Sequence, residues 1–185
     1  NLWLIATFPS RHYNIEEFPA VKAHLLSFGK ERLEQTGKKY IINGEEIKAR
    51  KKTSNKWFET QDSISYWDLF FQPKICWKAV GRNLAFSIVE SGTFLTAPAS
   101  FISAGIYNEY ILAFLCSNVG TYFIYKNSDT TGVGDIMLNI QSLIKFPIPL
   151  NQTISIGESI NVVNQSIYQA YGFTSDEISY IESSI

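Results

Sequence analysis

The residues with the clearest chemical potential are the lysines and arginines of positions 38–56, which we call the basic segment. It holds seven basic side chains against Glu45 and Glu46, a net charge of +5. Clustered ammonium groups bind phosphates and release the counterions condensed on a nucleic acid. The residues expected to contact phosphates are Lys38, Lys39, Lys51, Lys52 and Lys56. A solvated hairpin that serves only solubility is the alternative interpretation.

Side chains that can distinguish DNA bases lie in the basic segment, beyond it, and in a second, nearly uncharged loop. Arginine suits guanine and glutamine suits adenine in the major groove. The residues expected to contact bases are Arg50, Gln61, Lys78 and Arg82, with Lys126, Ser128, Thr130 and Thr131 on the second loop. Phosphate contacts position a protein and base contacts specify the sequence, so the two sets have separate roles.

Two other functions remain open at this stage. In a magnesium-dependent nuclease, carboxylates hold the metal and a lysine positions the attacking water. Glu46 and Lys48 form half of such a pattern, although the triplet is frequent by chance and flanks a predicted turn. The other alternative is a protein-interaction domain without DNA binding, whose acidic half docks a partner.

No pattern predicts a catalytic residue, a metal site or a cofactor site in this chain. The histidines and cysteines lack the spacing of metal ligands. Gly132-Val-Gly134 is an incomplete dinucleotide loop. Cys76 and Cys116 lie in apolar runs, so we expect both to be buried and reduced. We likewise expect Trp57, Trp67 and Trp77 in the core, where large aromatic side chains usually lie.

Composition limits the class of protein. The 185 residues carry a net charge of −1, divided into +5 over residues 1–82 and −6 over residues 83–185. This excludes a uniformly basic nucleic-acid coat. Apolar residues make up 45%, enough for a core. No apolar run approaches the roughly 20 residues of a membrane span, and no signal peptide begins the chain. We expect a cytoplasmic protein without a membrane partner.

The hydrophobic pattern predicts an α+β fold: one domain over 1–185, with a central set of short, mostly antiparallel strands, flanking helices and a helical C-terminus. Asn43-Gly44 predicts a hairpin, and Thr174-Ser-Asp-Glu177 predicts a capping box that opens the last helix. Gly37 and Gly172 are expected as helix C-caps. Strands are expected over 2–8 and 74–103, and short strands with one helical turn over 136–149. Helices are expected over 15–34 with a break at Gly29, over 107–125 with a break near Asn118 or Gly120, and over 157–171.

Five blocks, in this order and spacing, resemble the C-terminal, TaqI-like specificity region of adenine-specific DNA methyltransferases and type IIG restriction–modification enzymes. The blocks are Phe18-Pro-Ala-Val-Lys22 with Leu25-Leu26, Lys56-Trp-Phe-Glu-Thr-Gln-Asp62, Phe71-Gln-Pro-Lys-Ile-Cys-Trp77, Tyr110-Ile-Leu-Ala-Phe-Leu-Cys-Ser-Asn118 and Ile144-Lys-Phe-Pro-Ile-Pro149. The last two, with Thr130-Thr-Gly between them, are also similar to the target-recognition domains of type I specificity subunits. The resemblance covers roughly residues 5–180.

The resemblance implies a target-recognition module on double-stranded DNA and a C-terminal piece of a larger protein. Such modules select the site at which a methyltransferase core of the same polypeptide flips out an adenine and methylates N6. The Asn-Pro-Pro-Tyr motif and the glycine-rich loop of that core do not occur here. S-adenosylmethionine, and magnesium where a nuclease is fused, would therefore belong to the parent protein. The acidic C-terminal half departs from a DNA clamp, so we expect the DNA face mainly on the N-terminal half.

Overall fold

Short helices and strands make up the computed structural model, which describes residues 3–149, 154 and 159–185. The chain divides into two compact units, Asn1–Trp67 (unit 1) and Asp68–Ile185 (unit 2). One domain over 1–185 stays a prediction. Helices and small antiparallel sheets occur together, so the fold is α+β as predicted, with a helical C-terminal part. Among the described residues, no helix has the length and apolar character needed to cross a membrane.

Unit 1 begins with two helices, α1 (Pro19–Leu26) and α2 (Lys30–Leu33). Gly29 separates them with a φ of +88°, so the predicted break is confirmed. Pro19 occupies the first turn of α1, where a missing N–H costs nothing.

Turns of 3-10 helix occupy Pro9–Arg11, Ile15–Glu17, Trp67–Phe71 and Gly105–Tyr107.

Two local predictions for unit 1 are wrong. Residues 3–8 form no strand, because this apolar run has no sheet partner. Its contact with the later chain is the bond from the Thr60 N–H to the Thr7 carbonyl, at 3.0 Å. Leu2 lies outside the described residues. Gly37 does not cap a helix, because α2 has already ended at Leu33. It adopts a φ of +69° and donates its N–H to the Arg50 carbonyl at 2.8 Å.

The predicted hairpin of the basic segment is confirmed. Strands β1 (Lys39–Ile42) and β2 (Glu45–Lys48) pair antiparallel, with Lys39 opposite Lys48. Asn43 and Gly44 have φ values of +53° and +85°. A two-residue turn whose central residues both have positive φ matches the twist of the flanking strands, and Asn-Gly adopts it at little cost.

Unit 2 contains two three-stranded antiparallel sheets, which confirms the strands predicted over 74–103. In the first, β3 (Lys74–Lys78) lies between β5 (Phe86–Val89) and β6 (Ala99–Ile102). In the second, β8 (Ile136–Met137) lies between β4 (Val80–Gly81) and β7 (Asp129–Thr130).

The described residues of unit 2 also form the helices α3 (Asn108–Cys116), α4 (Asn118–Asn127), α5 (Ile140–Leu143), α6 (Ile160–Tyr171) and α7 (Ser175–Ser183). The predicted break between α3 and α4 falls at Ser117, whose hydroxyl accepts the Gly120 N–H at 3.0 Å. Gly172 ends α6 with a φ of +69°, and the Thr174–Glu177 capping box opens α7, as predicted. Residue 157, the predicted start of α6, lies outside the described residues.

The core of unit 2 packs the first sheet against the helices. Ile75, Phe114 and Ile167 are completely buried, and burying one such side chain contributes about 1.5–3 kcal/mol. Trp77 is also buried, as predicted, and its indole N–H donates to the Leu138 carbonyl at 3.0 Å. Cys116 is exposed, so its predicted burial is wrong, because its position in α3 faces outward.

The remaining predictions on core residues have mixed outcomes. Trp57, Trp67 and Cys76 are only partly buried. Lys74 is completely buried on β3, and its ammonium donates to the carbonyls of Phe70, Glu90 and Thr93 at 3.0–3.3 Å. Burial lowers the pKa of this ammonium.

Candidate nucleic-acid interface

The lysines predicted to contact phosphates are exposed on unit 1: Lys38, Lys39, Lys51, Lys52 and Lys56. On the hairpin, the Lys39 ammonium lies 2.8 Å from the Glu46 carboxylate. An exposed ion pair of this kind contributes about 0–1 kcal/mol. Lys39 can therefore exchange its carboxylate partner for a phosphate at little cost.

A polar groove brings three predicted residues of unit 1 together. Lys51, Lys52 and Gln61 line a cavity of about 570 Å³. Hydroxyl, amide and carboxylate groups complete its lining, from Thr53, Ser54, Asn55, Asp62 and Ser63. The groove thus combines two ammonium groups, which suit phosphates, with an amide that can read an adenine edge.

The buried side chain of Gln35 holds the loop that carries the groove lysines. Its amide nitrogen donates to the carbonyls of Lys56 (3.0 Å) and Glu59 (2.8 Å), and its amide oxygen accepts the Thr53 hydroxyl at 2.6 Å. The Gln35 carbonyl also accepts the Thr53 N–H at 3.1 Å. One buried residue therefore links two stretches of the loop through both ends of its amide group.

Arg50 belongs to this scaffold rather than to the exposed face. Its guanidinium donates to the carbonyls of Leu33 (2.7 Å), Glu59 (2.9 Å) and Trp57 (2.6 Å). Partial burial lowers the pKa of the group. The sequence prediction placed Arg50 among the base contacts, and the structure differs because its donors are already engaged with the backbone.

Two further side chains fix the loop. The buried Glu59 carboxylate accepts the Lys56 N–H at 2.7 Å. Asn55 donates to the carbonyls of Thr60 and Gln61 at 3.0 and 2.9 Å. A loop ordered before binding loses less conformational entropy when a ligand arrives. Sequence reasoning missed Gln35, Asn55 and Glu59. The hydrogen-bond partners of Gln35 lie 18–24 residues away, so no local pattern marks its role.

In unit 2, the second sheet gathers several predicted base contacts. Gly81 of β4 and Thr130 of β7 both pair with Ile136 of the central strand β8, one from each side. Arg82 and the loop after β7 therefore lie at the same end of the sheet. The Arg82 guanidinium is 3.5 Å from the Asp135 carboxylate, and its side chain is 79% exposed. The Arg82 side chain is therefore accessible to a ligand. Thr131 instead supports the turn, since its hydroxyl accepts the Asp135 N–H at 3.0 Å.

The other predicted contacts of unit 2 lie in different settings. Lys78 is exposed at the end of β3. The Lys126 ammonium lies 5.5 Å from the centroid of the Tyr122 ring. The Ser128 hydroxyl is buried without a hydrogen-bond partner among the described residues.

The alternative nuclease pair, Glu46 and Lys48, lies on the exposed face of the hairpin. The Glu46 carboxylate already pairs with Lys39. Within residues 3–149, 154 and 159–185, no three His, Cys, Asp or Glu side chains are grouped so that they could hold a metal ion. The nuclease interpretation of this pair stays a prediction.

Comparisons of the chain with protein-family models, with curated proteins and with solved structures found no match.

Proposed function

We propose that this chain is a duplex-DNA recognition module whose phosphate-binding face is the basic segment of unit 1. The observation that carries the proposal is the groove in which Lys51, Lys52 and Gln61 meet. Lys38, Lys39 and Lys56 are further exposed lysines of the basic segment, and Arg50 contributes by holding the loop. Gln61 is the base contact best supported in unit 1, because its exposed side chain shares the groove with the two lysines.

Preorganisation supports this proposal over a merely solubilising surface. A solubilising loop needs exposed charge but no fixed conformation. Here Gln35 and Glu59 are buried, and both hydrogen-bond the loop backbone. Burying polar groups costs free energy unless each finds a partner. A fixed loop that presents two adjacent lysines outward is the arrangement that a phosphate-binding surface requires.

The resemblance of the sequence blocks extends the proposal to the parent protein. It would be an adenine-specific DNA methyltransferase, with or without a fused nuclease, and this chain would supply its target recognition. Arg82, Lys78 and Thr130 of unit 2 would then provide a second set of DNA contacts. The S-adenosylmethionine site and the catalytic residues would lie in the methyltransferase core.

The decisive experiment measures duplex-DNA binding by the full chain as a function of salt, using fluorescence anisotropy. Each phosphate contact contributes about 0.9 to the slope of log affinity against log salt. Lys51→Ala/Lys52→Ala should therefore reduce the slope by about 1.8 and weaken binding to all sequences. Lys30→Ala/Lys145→Ala is the matched control, since it removes the same charge from exposed positions outside the basic segment.

Equal slopes for the two double variants, or no duplex binding by the wild-type chain at low salt, would contradict the proposal.

A second experiment selects bound sequences from a randomised duplex pool. Gln61→Ala should relax the preference at one base pair, a loss of about 1–3 kcal/mol of discrimination. Gln141→Ala, an exposed glutamine on α5, should leave the selected sequence unchanged.

A further inference from the structure

An aromatic pocket in unit 2 is separate from the proposed DNA face. Its volume is about 570 Å³, within the range of small-molecule sites. Val119 and Ile181, both buried, belong to its wall. Six aromatic side chains supply most of the remaining lining: Tyr122, Phe123, Phe146, Tyr171, Phe173 and Tyr180.

The rings of the pocket are held in defined pairs. Phe123 and Phe146 stack with their centroids 4.7 Å apart. Tyr171 stacks on Phe173 at 5.1 Å, and its hydroxyl donates to the Pro147 carbonyl at 2.7 Å. Tyr122 and Tyr180 meet edge to face at 6.0 Å. The pocket therefore presents several π-systems in fixed orientations.

Negative charge accompanies these rings. Asp176 and Glu177 also line the pocket. Two hydrogen bonds from Thr174, one from its N–H and one from its hydroxyl, lower the pKa of Glu177. Residues 159–185 contain three carboxylates and no lysine, arginine or histidine. The lining of the pocket thus combines aromatic rings with two carboxylates.

We propose that this pocket binds a small organic ammonium ion whose nitrogen carries alkyl groups. Alkyl groups fill an aromatic pocket by apolar contact, while the positive charge is attracted by the π-electrons of the rings. The Lys126 ammonium lies 5.5 Å from the centroid of one of these rings, that of Tyr122, and the charge opposite to a bound cation comes from the carboxylates of Asp176 and Glu177. Charge complementarity therefore favours an ammonium ion over a neutral apolar ligand.

The test compares choline with its neutral carbon isostere, 3,3-dimethylbutan-1-ol, by NMR titration of the full chain. The two ligands have nearly the same shape and differ in charge. Choline should bind about tenfold more tightly, since a desolvated cation–π contact contributes on this scale. The resonances that shift should include those of Tyr180 and its neighbours on α7.

Two variants connect the effect to the pocket. Asp176→Asn should weaken choline binding severalfold and leave binding of the neutral isostere unchanged. Tyr180→Leu should weaken choline binding more than isostere binding, because it keeps an apolar surface and removes a π-face. Glu109→Gln is the matched control, since it removes an exposed carboxylate of α3 outside the pocket and should change neither affinity.

Equal affinity for choline and the isostere would mean that the pocket recognises apolar shape and not charge, and would overturn the proposal. No saturable choline binding at tens of millimolar would overturn it as well. A trimethyllysine peptide that bound far more tightly than choline would assign the pocket to a protein partner instead of a small molecule. These outcomes do not depend on DNA binding by unit 1.

Discussion

Replacing Arg50 by alanine tests whether this residue is a scaffold or a DNA contact. Its guanidinium donates to three backbone carbonyls, those of Leu33, Trp57 and Glu59, at 2.6–2.9 Å. Alanine would remove the guanidinium donor from all three carbonyls, of which the Glu59 carbonyl keeps the Gln35 amide N–H at 2.8 Å. We therefore expect Arg50→Ala to destabilise unit 1 and, through the loop, to weaken any binding by Lys51 and Lys52.

The size of the effect follows from the three bonds. A hydrogen bond to a charged group contributes about 1.5–3 kcal/mol, which sets an upper limit of about 4.5–9 kcal/mol for three. Arg50 is only partly buried, so water can replace some of the lost donors. Single substitutions rarely cost more than about 4–5 kcal/mol. We expect a loss of about 3 kcal/mol in the free energy of unfolding.

Urea unfolding followed by tryptophan fluorescence measures this loss. Three of the four tryptophans, Trp3, Trp57 and Trp67, belong to unit 1. With a urea m-value of about 1–3 kcal/mol/M, the midpoint should fall by about 1–3 M. Lys51→Ala is the adjacent control: its exposed side chain should change stability by less than about 0.5 kcal/mol and still weaken DNA binding.

Arg50→Lys sharpens the comparison. It keeps the charge, but a single ammonium cannot reproduce the planar fork of guanidinium donors. Its stability should fall between those of the wild type and the alanine variant. The scaffold assignment would be refuted if Arg50→Ala unfolded at the wild-type urea concentration and relaxed DNA specificity at one base pair.

Two further predictions concern unit 2. A Cβ added at Gly120 would overlap the Phe114 carbonyl oxygen and lie 3.0 Å from the Leu115 Cα, so Gly120→Ala should lower the free energy of unfolding in urea by about 1–3 kcal/mol. Gly132→Ala is the control, because the space around its Cβ is open and its stability should be nearly that of the wild type. Equal urea midpoints for the two variants would contradict this reasoning. Burial, and to a smaller extent Tyr110, raises the pKa of Tyr171 to about 12. Since an unfolded phenol ionises near pH 10, wild-type stability should fall between pH 10 and 12. Tyr171→Phe loses a hydrogen bond and should therefore be less stable than the wild type by about 1 kcal/mol at neutral pH. This difference in the free energy of unfolding should become smaller as the pH rises from 10 to 12. A difference that stays constant with pH would contradict the pKa assigned to Tyr171.

The sequence alone determined the elements whose causes lie within a few residues. Asn43-Gly44 predicts the hairpin because these residues adopt positive φ readily. The Thr174–Glu177 capping box and the break at Gly29 are equally local, because a cap or a chain reversal depends on adjacent backbone groups. The concentration of lysines in residues 38–56 is also readable without a fold, since formal charge needs no partner.

Only the tertiary structure decided which basic residues face solvent. Arg50 and Lys51 are neighbours in the sequence, yet Arg50 donates to carbonyls 7, 9 and 17 residues away while Lys51 lines the groove. Lys74 is buried for the same reason, since its carbonyl partners lie up to 19 residues distant. A charged side chain can be buried only where such partners converge. That convergence is a property of the folded chain, and no local pattern encodes it.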